Sequence, residues 1–250
     1  MYKIPEKTVL MGKKIISLPT CESTNTVLVQ QADRLDEGTV LITESQTKGR
    51  GQAGNTWLAD AGLNLTFSVL LKPTFLEPSR QFFLNIVAGL AVADAITLVA
   101  GLNPMVKWPN DVLIADKKVC GILIENQIQG QKLGQSVVGI GLNVNQMNFE
   151  WPYATSMCLS AGRYFNRAEV FERVLERLDA RFNDLQIGNV AMLSQDYLNK
   201  LYWKGAEHEF EAQGENFFGV IQGVDEIGRL RIDTKKGVRY FNFKEVRFIR

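Results

Sequence analysis

Short apolar runs alternate with amphipathic stretches through the first two thirds of the chain. Runs rich in Val, Ile and Leu are typical of buried strands, whereas apolar positions spaced by three and four are typical of a helix that buries one face. The apolar runs predict strands at residues 15–17, 39–44, 63–71, 111–115, 119–128 and 136–144. The helical spacing predicts helices at residues 23–34, 81–100 and 190–202, and another that opens at Asn166 and includes Leu185. This alternation predicts an α+β fold with a mixed sheet.

The pattern changes after about Gly205. From there on, short β-rich runs are separated by glycine-bearing turns at 226–228 and 236–237, and no helical spacing is present. These runs predict four or five short strands, which suggests a small SH3-like β-barrel. We therefore expect a larger domain at residues 1–203 and a barrel at residues 204–250.

Composition and charge narrow the class of protein. The chain has 250 residues, of which 46% are hydrophobic and 22% charged, as is ordinary for a globular protein. The 28 Lys and Arg are balanced by 27 Asp and Glu, so the sequence predicts no basic face of the kind that binds duplex DNA.

The most apolar segment is residues 82–100, but it contains Asn85 and Asp94. Because a charge at mid-membrane costs roughly 2.5–3.5 kcal/mol on insertion scales, we expect a buried core helix and no membrane contact. The N-terminus has no apolar signal-peptide core, and the three cysteines include no CxxC pair. Both features favour a reducing, cytoplasmic location.

A first polar cluster, Glu22-Ser23-Thr24-Asn25, follows the first predicted strand. Ser, Thr and Asn are common helix caps, and this is the simplest interpretation of the cluster alone. The alternative is that their hydroxyl and amide groups bind a neutral polar ligand.

A second cluster is the loop that runs from Glu44 to Trp57. It contains three glycines, Lys48 and Arg50, and it has no acidic residue after Glu44. Glycine permits close backbone approach to a ligand, and the Arg fork suits phosphate or carboxylate. The loop matches neither a Walker A nor a GxGxxG pattern, so a mobile surface loop is the competing interpretation, and its composition predicts mobility without ligand.

Two further clusters lie in the predicted strands. Lys107-Trp108-Pro109-Asn110-Asp111 leads into a hairpin with a turn at 116–118, which we expect to bring Lys107, Asp111 and Lys118 together. Alternating glycines at 139 and 141 then precede Asn143 at a strand end, and such glycines indicate close approach of a ligand or another chain segment.

Taken together and in this order, the clusters resemble the biotin protein ligases. The resemblance rests on STN at 23–25, GRG at 49–51 with Trp57, KWPND at 107–111, the turn from Lys118 to Gly121, and GIGLN at 139–143. It covers nearly the whole chain, including the small C-terminal segment. It implies formation of biotinyl-5'-adenylate from biotin and ATP, with Mg²⁺ bound mainly through the ATP phosphates. Biotin is then transferred to a lysine of the biotin carboxyl carrier protein of a carboxylase.

The resemblance also implies roles for single residues. The residues that it places in catalysis are Arg50, Lys118 and Asp111, the last as a base or orienting group for the acceptor lysine. Those that it places around biotin are Ser23, Thr24, Asn25, Gln46, Gly49, Arg50, Gly51, Gln52, Lys118 and Gly121. Those that it places around ATP are Arg50, Trp57, Lys107, Asn110, Lys118 and Asn143. No dedicated metal site is expected.

The chain departs from the family pattern at two places. Gln52 and Asn55 stand where members of the family often have basic residues, so we expect the loop to hold the adenylate with fewer ion pairs. Only 14 residues precede Ile15, so we expect a monofunctional ligase without a DNA-binding domain. The oligomeric state, a homodimer included, is left open.

Two other functions are weighed against this one. A lipoate protein ligase shares the expected chemistry, but its RRxSGGG-type motif is missing here. The second is a non-catalytic binding module that uses the barrel as an adaptor. The single histidine, His208, argues against His-based acid–base catalysis, and we expect it at the surface.

Overall fold

The computed structural model describes residues 2–249, and its larger part is built on a seven-stranded mixed sheet. The spatial order of the strands is β1-β2-β3-β7-β6-β5-β4, with β1 and β2 parallel and the other neighbours antiparallel. The strands are β1 Ile15–Cys21, β2 Val40–Gln46, β3 Leu65–Leu71, β4 Met105–Lys107, β5 Asp111–Ile114, β6 Lys117–Gln129 and β7 Lys132–Leu142. The predicted mixed sheet is therefore confirmed.

Helices cover both faces of this sheet. They are α1 Thr24–Gln31, α2 Phe82–Ala100, α3 Met157–Ala161, α4 Arg167–Gln186 and α5 Val190–Lys200. Helix α1 packs Leu28 against Leu41, Leu70 and Val137 on one face. Helices α2 and α4 join the main core on the other face. The sheet is thus held between two apolar layers, and polar side chains collect at its open ends.

Helix α2 is a core helix, as its composition predicts. Within the described residues, Pro78–Ala100 is long and apolar enough for a membrane span, with mean hydropathy 2.1, but 72% of that window is buried inside the protein. The helix ends at Gly101, whose φ of 68° provides the left-handed cap that a side chain would disfavour. Helix α4 begins as predicted, because the Asn166 side chain accepts a hydrogen bond from the Ala168 N–H at 3.0 Å.

The C-terminal part is a five-stranded antiparallel sheet with the order β11-β10-β9-β8-β12. Its strands are β8 Glu207–Ala212, β9 Glu215–Val224, β10 Leu230–Thr234, β11 Gly237–Phe241 and β12 Arg247–Phe248. In the described part of the chain no ladder joins the two outer strands, so the sheet is found but closure into an SH3-like barrel is not. Phe210 and Ile232 of this sheet belong to the same continuous core as α2, and the domain boundary stays a prediction.

One local expectation was wrong, and two short elements were missed. The turn between β5 and β6 is formed by Ala115 and Asp116, both with positive φ, so Lys117 and Lys118 already lie in β6. Strand β4 and helix α3 were not predicted, because three and five residues are too short for a periodic signal. His208 lies at the surface as expected, although it is partly covered because its ring stacks on Trp203 with centroids 4.0 Å apart.

Candidate active site

A cavity opens at the end of the sheet where the parallel strands β1 and β2 finish side by side. Cys21 and Gln46 are direct neighbours in this ladder, so the Ser23–Asn25 turn and the Gln46 side chain meet at one edge. The predicted site residues that line the cavity are Ser23, Thr24, Asn25, Gln46, Arg50, Gly51, Gln52, Trp57, Asn110, Lys118 and Gly121. Residues up to 98 positions apart in sequence therefore share one wall.

The α1 end of the cavity is a small hydrogen-bonded unit. The Thr24 N–H donates to Gln46 Oε1 at 2.8 Å, and the Thr24 hydroxyl lies 3.2 Å from the same oxygen. Ser68, fully buried on β3, lies 2.7 Å from Thr24 Oγ1 and 2.6 Å from Asn25 Oδ1. Ser23 stands at the N-cap of α1 but its side chain makes no capping hydrogen bond within the described residues. This cluster is therefore more than a helix cap.

Asn25 is held across the sheet by β6 and β7. Its amide nitrogen donates to the Leu123 carbonyl at 3.1 Å and to Glu125 Oε2 at 2.9 Å. A Cβ on Gly139 would lie 2.1 Å from Asn25 Oδ1, which is closer than atoms can approach. Gly139 thus leaves the space on β7 that the Asn25 amide occupies, and any side chain at this position would displace that amide.

The 47–57 loop folds back on itself over the cavity. Its base is tied to the chain after β1, with the Lys48 N–H donating to the Glu22 carbonyl at 2.9 Å. Its two arms are joined where the Trp57 N–H donates to the Gly49 carbonyl at 3.0 Å and where Arg50 and Thr56 form an isolated antiparallel bridge. These contacts give the loop a defined path despite its composition.

Trp57 lies on a strip of sheet that has no side chains. Gly121 and Gly141 face each other in the β6–β7 ladder, and a Cβ on Gly141 would lie 2.3 Å from Trp57 Cε2. The indole Nε1 is buried with no partner in the described chain. With the ring in place the cavity encloses about 50 Å³. Ligand cavities usually offer ~300 Å³ or more, so a ligand of that class needs more room than the cavity offers with the ring in this position.

The two predicted catalytic cations each contact a carboxylate. Lys118 Nζ lies 2.7 Å from Asp111 Oδ1, at angles that make the contact an ion pair rather than a directed hydrogen bond. Arg50 Nη2 lies 2.8 Å from Glu125 Oε1. The Lys118 ammonium also lies 5.7 Å from the centroid of a Trp57 ring. Each of the two cations that line the cavity is therefore paired with a carboxylate that does not line it.

Four predicted site residues do not line this cavity. Gly49 provides room for the loop itself, since a Cβ there would lie 2.2 Å from the Trp57 carbonyl oxygen. Lys107 Nζ lies over the Phe248 ring, 4.7 Å from its centroid. Asp111 lies behind Lys118. Asn143 is 4% exposed, and its Nδ2 donates to the Thr155 carbonyl at 3.0 Å. The Thr155 N–H donates to the Lys118 carbonyl at 2.9 Å, so Asn143 supports the strand that carries Lys118.

Cys120 lies beside this machinery but is inert. Burial raises the pKa of its thiol far above the ordinary range, with Lys118 lowering it and Asp111 raising it further. Because the thiolate is the nucleophilic form, Cys120 acts as a core residue. Within residues 2–249 no group of three or more His, Cys, Asp or Glu is placed to hold a metal ion.

Sequence reasoning missed Ser68 and Glu125. Ser68 lies in an otherwise apolar strand, and Glu125 is the only charged residue between Lys118 and Lys132. A buried polar side chain in a core strand needs a partner, and that rule was the available signal.

Comparisons with known proteins point to one family. Residues 17–143 match the model of the biotin/lipoate A/B protein ligase family. The bifunctional ligase/repressor BirA of Bacillus spizizenii is 30% identical over 246 residues, covering 93% of this chain and 73% of that protein. The biotin–[acetyl-CoA-carboxylase] ligase of Mycobacterium tuberculosis is 34% identical and covers 85% of this chain and 80% of its own.

A solved structure extends the likeness to the fold. The biotin protein ligase of Aquifex aeolicus in complex with biotin and ATP superposes with a TM-score of 0.81 at 30% identity, over 95% of this chain and all of that one. The fold, the glycine strip under Trp57 and the paired cations thus occur in a chain that belongs to the biotin/lipoate A/B protein ligase family.

Proposed function

We propose that this protein is an ATP-dependent biotin protein ligase. It joins the biotin carboxylate to the α-phosphate of ATP with release of pyrophosphate, and then transfers biotin to a lysine of a biotin carboxyl carrier protein. The observation that carries the proposal is the convergence of Arg50 and Lys118 on one cavity beside the Ser23–Asn25 turn. The relatives named as biotin ligases, and the neighbour that holds biotin and ATP, support it.

Electrostatics explains why two cations are needed. Adenylation brings a carboxylate against a polyphosphate, and two like charges about 4 Å apart repel by roughly 4 kcal/mol at an effective dielectric near 20. Arg50 and Lys118 offset this repulsion by holding positive charge where negative charge develops. Neither side chain exchanges a proton in this step.

The residues that line the cavity are assigned to biotin or to ATP by their chemistry. Ser23, Thr24, Asn25 and Gln46 provide hydroxyl and amide groups suited to the ureido end of biotin, whereas Trp57 and Asn110 are assigned to the nucleotide. The Asn110 side chain is fixed by donating to the Ile122 carbonyl at 2.7 Å. Gly51, Gln52 and Gly121 provide close approach between these ends. Lys107 is assigned to an ATP phosphate from beside the cavity, whereas the buried Asn143 acts through the strand that carries Lys118.

Mg²⁺ fits this site only if it is bound through the ATP phosphates. The nearest carboxylates, Asp111 and Glu125, are each paired with a cation, so the protein offers no cage of free carboxylates. This donor set suits Mg²⁺ bound by phosphate oxygens and water. When bound, the ion neutralises phosphate charge during adenylation.

In the second step the acceptor lysine attacks the acyl carbon of the adenylate as a free amine, which forms an amide, releases AMP and requires the amine to lose a proton. Asp111 is the base or orienting group that we propose for that amine. In Asp111→Asn we expect adenylate formation to change less than transfer from preformed adenylate to a carrier domain. An equal loss in both steps would mean that Asp111 acts only by holding Lys118 in place, and would remove its proposed role toward the amine.

Other parts of the proposal extend beyond the site. The C-terminal sheet is proposed to close into an SH3-like barrel that helps to hold ATP or the carrier protein. The enzyme is proposed to work in the cytoplasm and, given its balanced charge, without operator binding. A gel-shift assay that shows biotin-dependent, site-specific DNA binding would contradict the last point.

The central test is pyrophosphate release that requires both biotin and ATP, followed by biotin transfer to a carrier domain. In Arg50→Ala and Lys118→Ala both reactions should fall strongly but stay measurable, and undiminished transfer in the two variants would refute the mechanism. Replacing biotin with lipoate separates the two kinds of ligase. No pyrophosphate release with either acid would leave only a binding module.

A further inference from the structure

Glu125 contacts both ends of the proposed site without lining its cavity. On β6, its Oε2 accepts from Asn25 Nδ2 at 2.9 Å and from Arg50 Nη1 at 3.2 Å, while its Oε1 accepts from Arg50 Nη2 at 2.8 Å. One carboxylate is therefore bonded to a residue at the biotin end and to a residue at the phosphate end.

The Arg50 side chain spans the gap between the loop and the sheet. Its backbone is fixed in the bridge to Thr56, and its guanidinium is held by the two Glu125 oxygens and by Thr26 Oγ1 at 3.3 Å. An arginine has many rotamers, so a two-point contact at its head removes freedom that an anionic ligand would otherwise have to remove. The Nε–H has no partner within the described residues, so part of the fork is available to a ligand.

The charge of Glu125 is balanced within this group of residues. Its side chain is 29% exposed and its oxygens accept from three N–H groups, so it does not present a bare carboxylate to an incoming polyphosphate. Because Asn25 and Arg50 share Oε2, a shift of either one is felt by the other.

We propose that Glu125 is a positioning residue that orients Arg50 for adenylation and Asn25 for biotin, and so couples the two halves of the site. The proposal rests on the function proposed above. Glu125 touches neither substrate. Its effect through Arg50 should change kcat, and its effect through Asn25 should change the KM for biotin.

The test is a double-mutant cycle read by biotin-dependent ATP–pyrophosphate exchange. In Glu125→Ala we expect kcat to fall about tenfold or more, since small errors in the placement of a catalytic group cost that much, and the KM for biotin to rise. In the Arg50→Ala background, adding Glu125→Ala should leave kcat unchanged while the KM for biotin still rises. Glu125→Asp keeps the charge and should recover part of the loss.

A matched control is Glu211→Gln, which removes the carboxylate that lies 3.1 Å from Arg247 in the C-terminal sheet. It should leave kcat and KM unchanged. Melting temperatures ensure that all variants are assayed while folded. An active wild type with an unaltered Glu125→Ala variant would overturn the proposal. The proposal would also be overturned if Glu125→Ala lowered kcat in the Arg50→Ala background by the same factor as in wild type. A wild type without exchange activity would instead refute the proposed function.

Discussion

Lys118 Nζ lies 2.7 Å from Asp111 Oδ1, across the β5–β6 hairpin and beside the Trp57 ring. The positive-φ turn at Ala115 and Asp116 sets the strand register, and the contact depends on this hairpin. Asp111 keeps the ammonium in place without lying in the cavity wall, so Lys118 presents a fixed point charge to the cavity.

Removing that charge should slow adenylation strongly. In Lys118→Ala we expect biotin-dependent pyrophosphate exchange to fall by roughly 10²–10³-fold, the range found when one preorganised donor to developing charge is lost. Lys117→Ala, one residue earlier and exposed, is the control and should stay close to wild type. An exchange rate within threefold of wild type in Lys118→Ala would remove Lys118 from the mechanism.

With Gln52, the 47–57 loop should bind the biotinyl-5'-adenylate more weakly than it would with a basic residue at this position. Gln52 lines the cavity as a neutral amide where the family resemblance implies a basic residue, so we expect the adenylate to lose one ion pair. We expect wild type to label bystander lysines more than Gln52→Arg does, measured by blotting for biotin on an added inert protein. Equal and negligible labelling by both would contradict the prediction.

Trp57 should leave the Gly121–Gly141 strip when ligand enters. The cavity is too small with the indole in place, and the buried Nε1 has no partner among the described residues that would hold it there. Biotin with a non-hydrolysable ATP analogue should change the tryptophan fluorescence of wild type but not of Trp57→Phe. Gly141→Ala should displace the ring without ligand, because the new Cβ overlaps it. Identical responses of wild type and Trp57→Phe would exclude this movement.

Arg181 should be a main support of the helical layer. Its guanidinium lies 2.8 Å from Asp94 Oδ2 on α2 and also bonds Asp196 on α5. Arg181→Ala leaves two carboxylates without their cation, so we expect the free energy of unfolding to fall by about 2–3 kcal/mol, less than for a fully buried pair because solvent screens the groups. Urea unfolding measures it, and Arg247→Ala, at an exposed pair, should change it by less than about 1 kcal/mol.

His208 should give the fold a pH dependence. Burial lowers the pKa of its imidazole in the folded protein, with Asp116 opposing this. The neutral ring is favoured in the folded state, so this contribution to stability is present above the unfolded pKa of about 6.5 and is lost as the pH falls through the lower folded value. His208→Phe keeps an aromatic ring on Trp203. Between pH 7.5 and 5.5, a range that spans the ordinary titration of histidine, the melting temperature of the variant should fall less than that of wild type. Parallel curves would contradict the prediction.

Periodicity and residue chemistry determined much of the local structure of this protein. The mixed sheet, the core helix α2, the Asn166 cap and the polar clusters all follow from local patterns, since each is set by neighbours a few residues away. The family resemblance came from the same local motifs and assigned the chemistry of Arg50 and Lys118.

Only the tertiary structure decided which of those residues meet. Parallel pairing of β1 and β2 brings Thr24 to Gln46, and β6 brings Glu125 to Asn25 and Arg50, contacts that no spacing in the sequence records. The tertiary structure also shows that Trp57 packs on the glycine strip and that four predicted site residues do not line the cavity, namely Gly49, Lys107, Asp111 and Asn143. The physical reason is that sheet register and loop path are fixed by packing between distant segments, whereas sequence patterns report local conformation and burial.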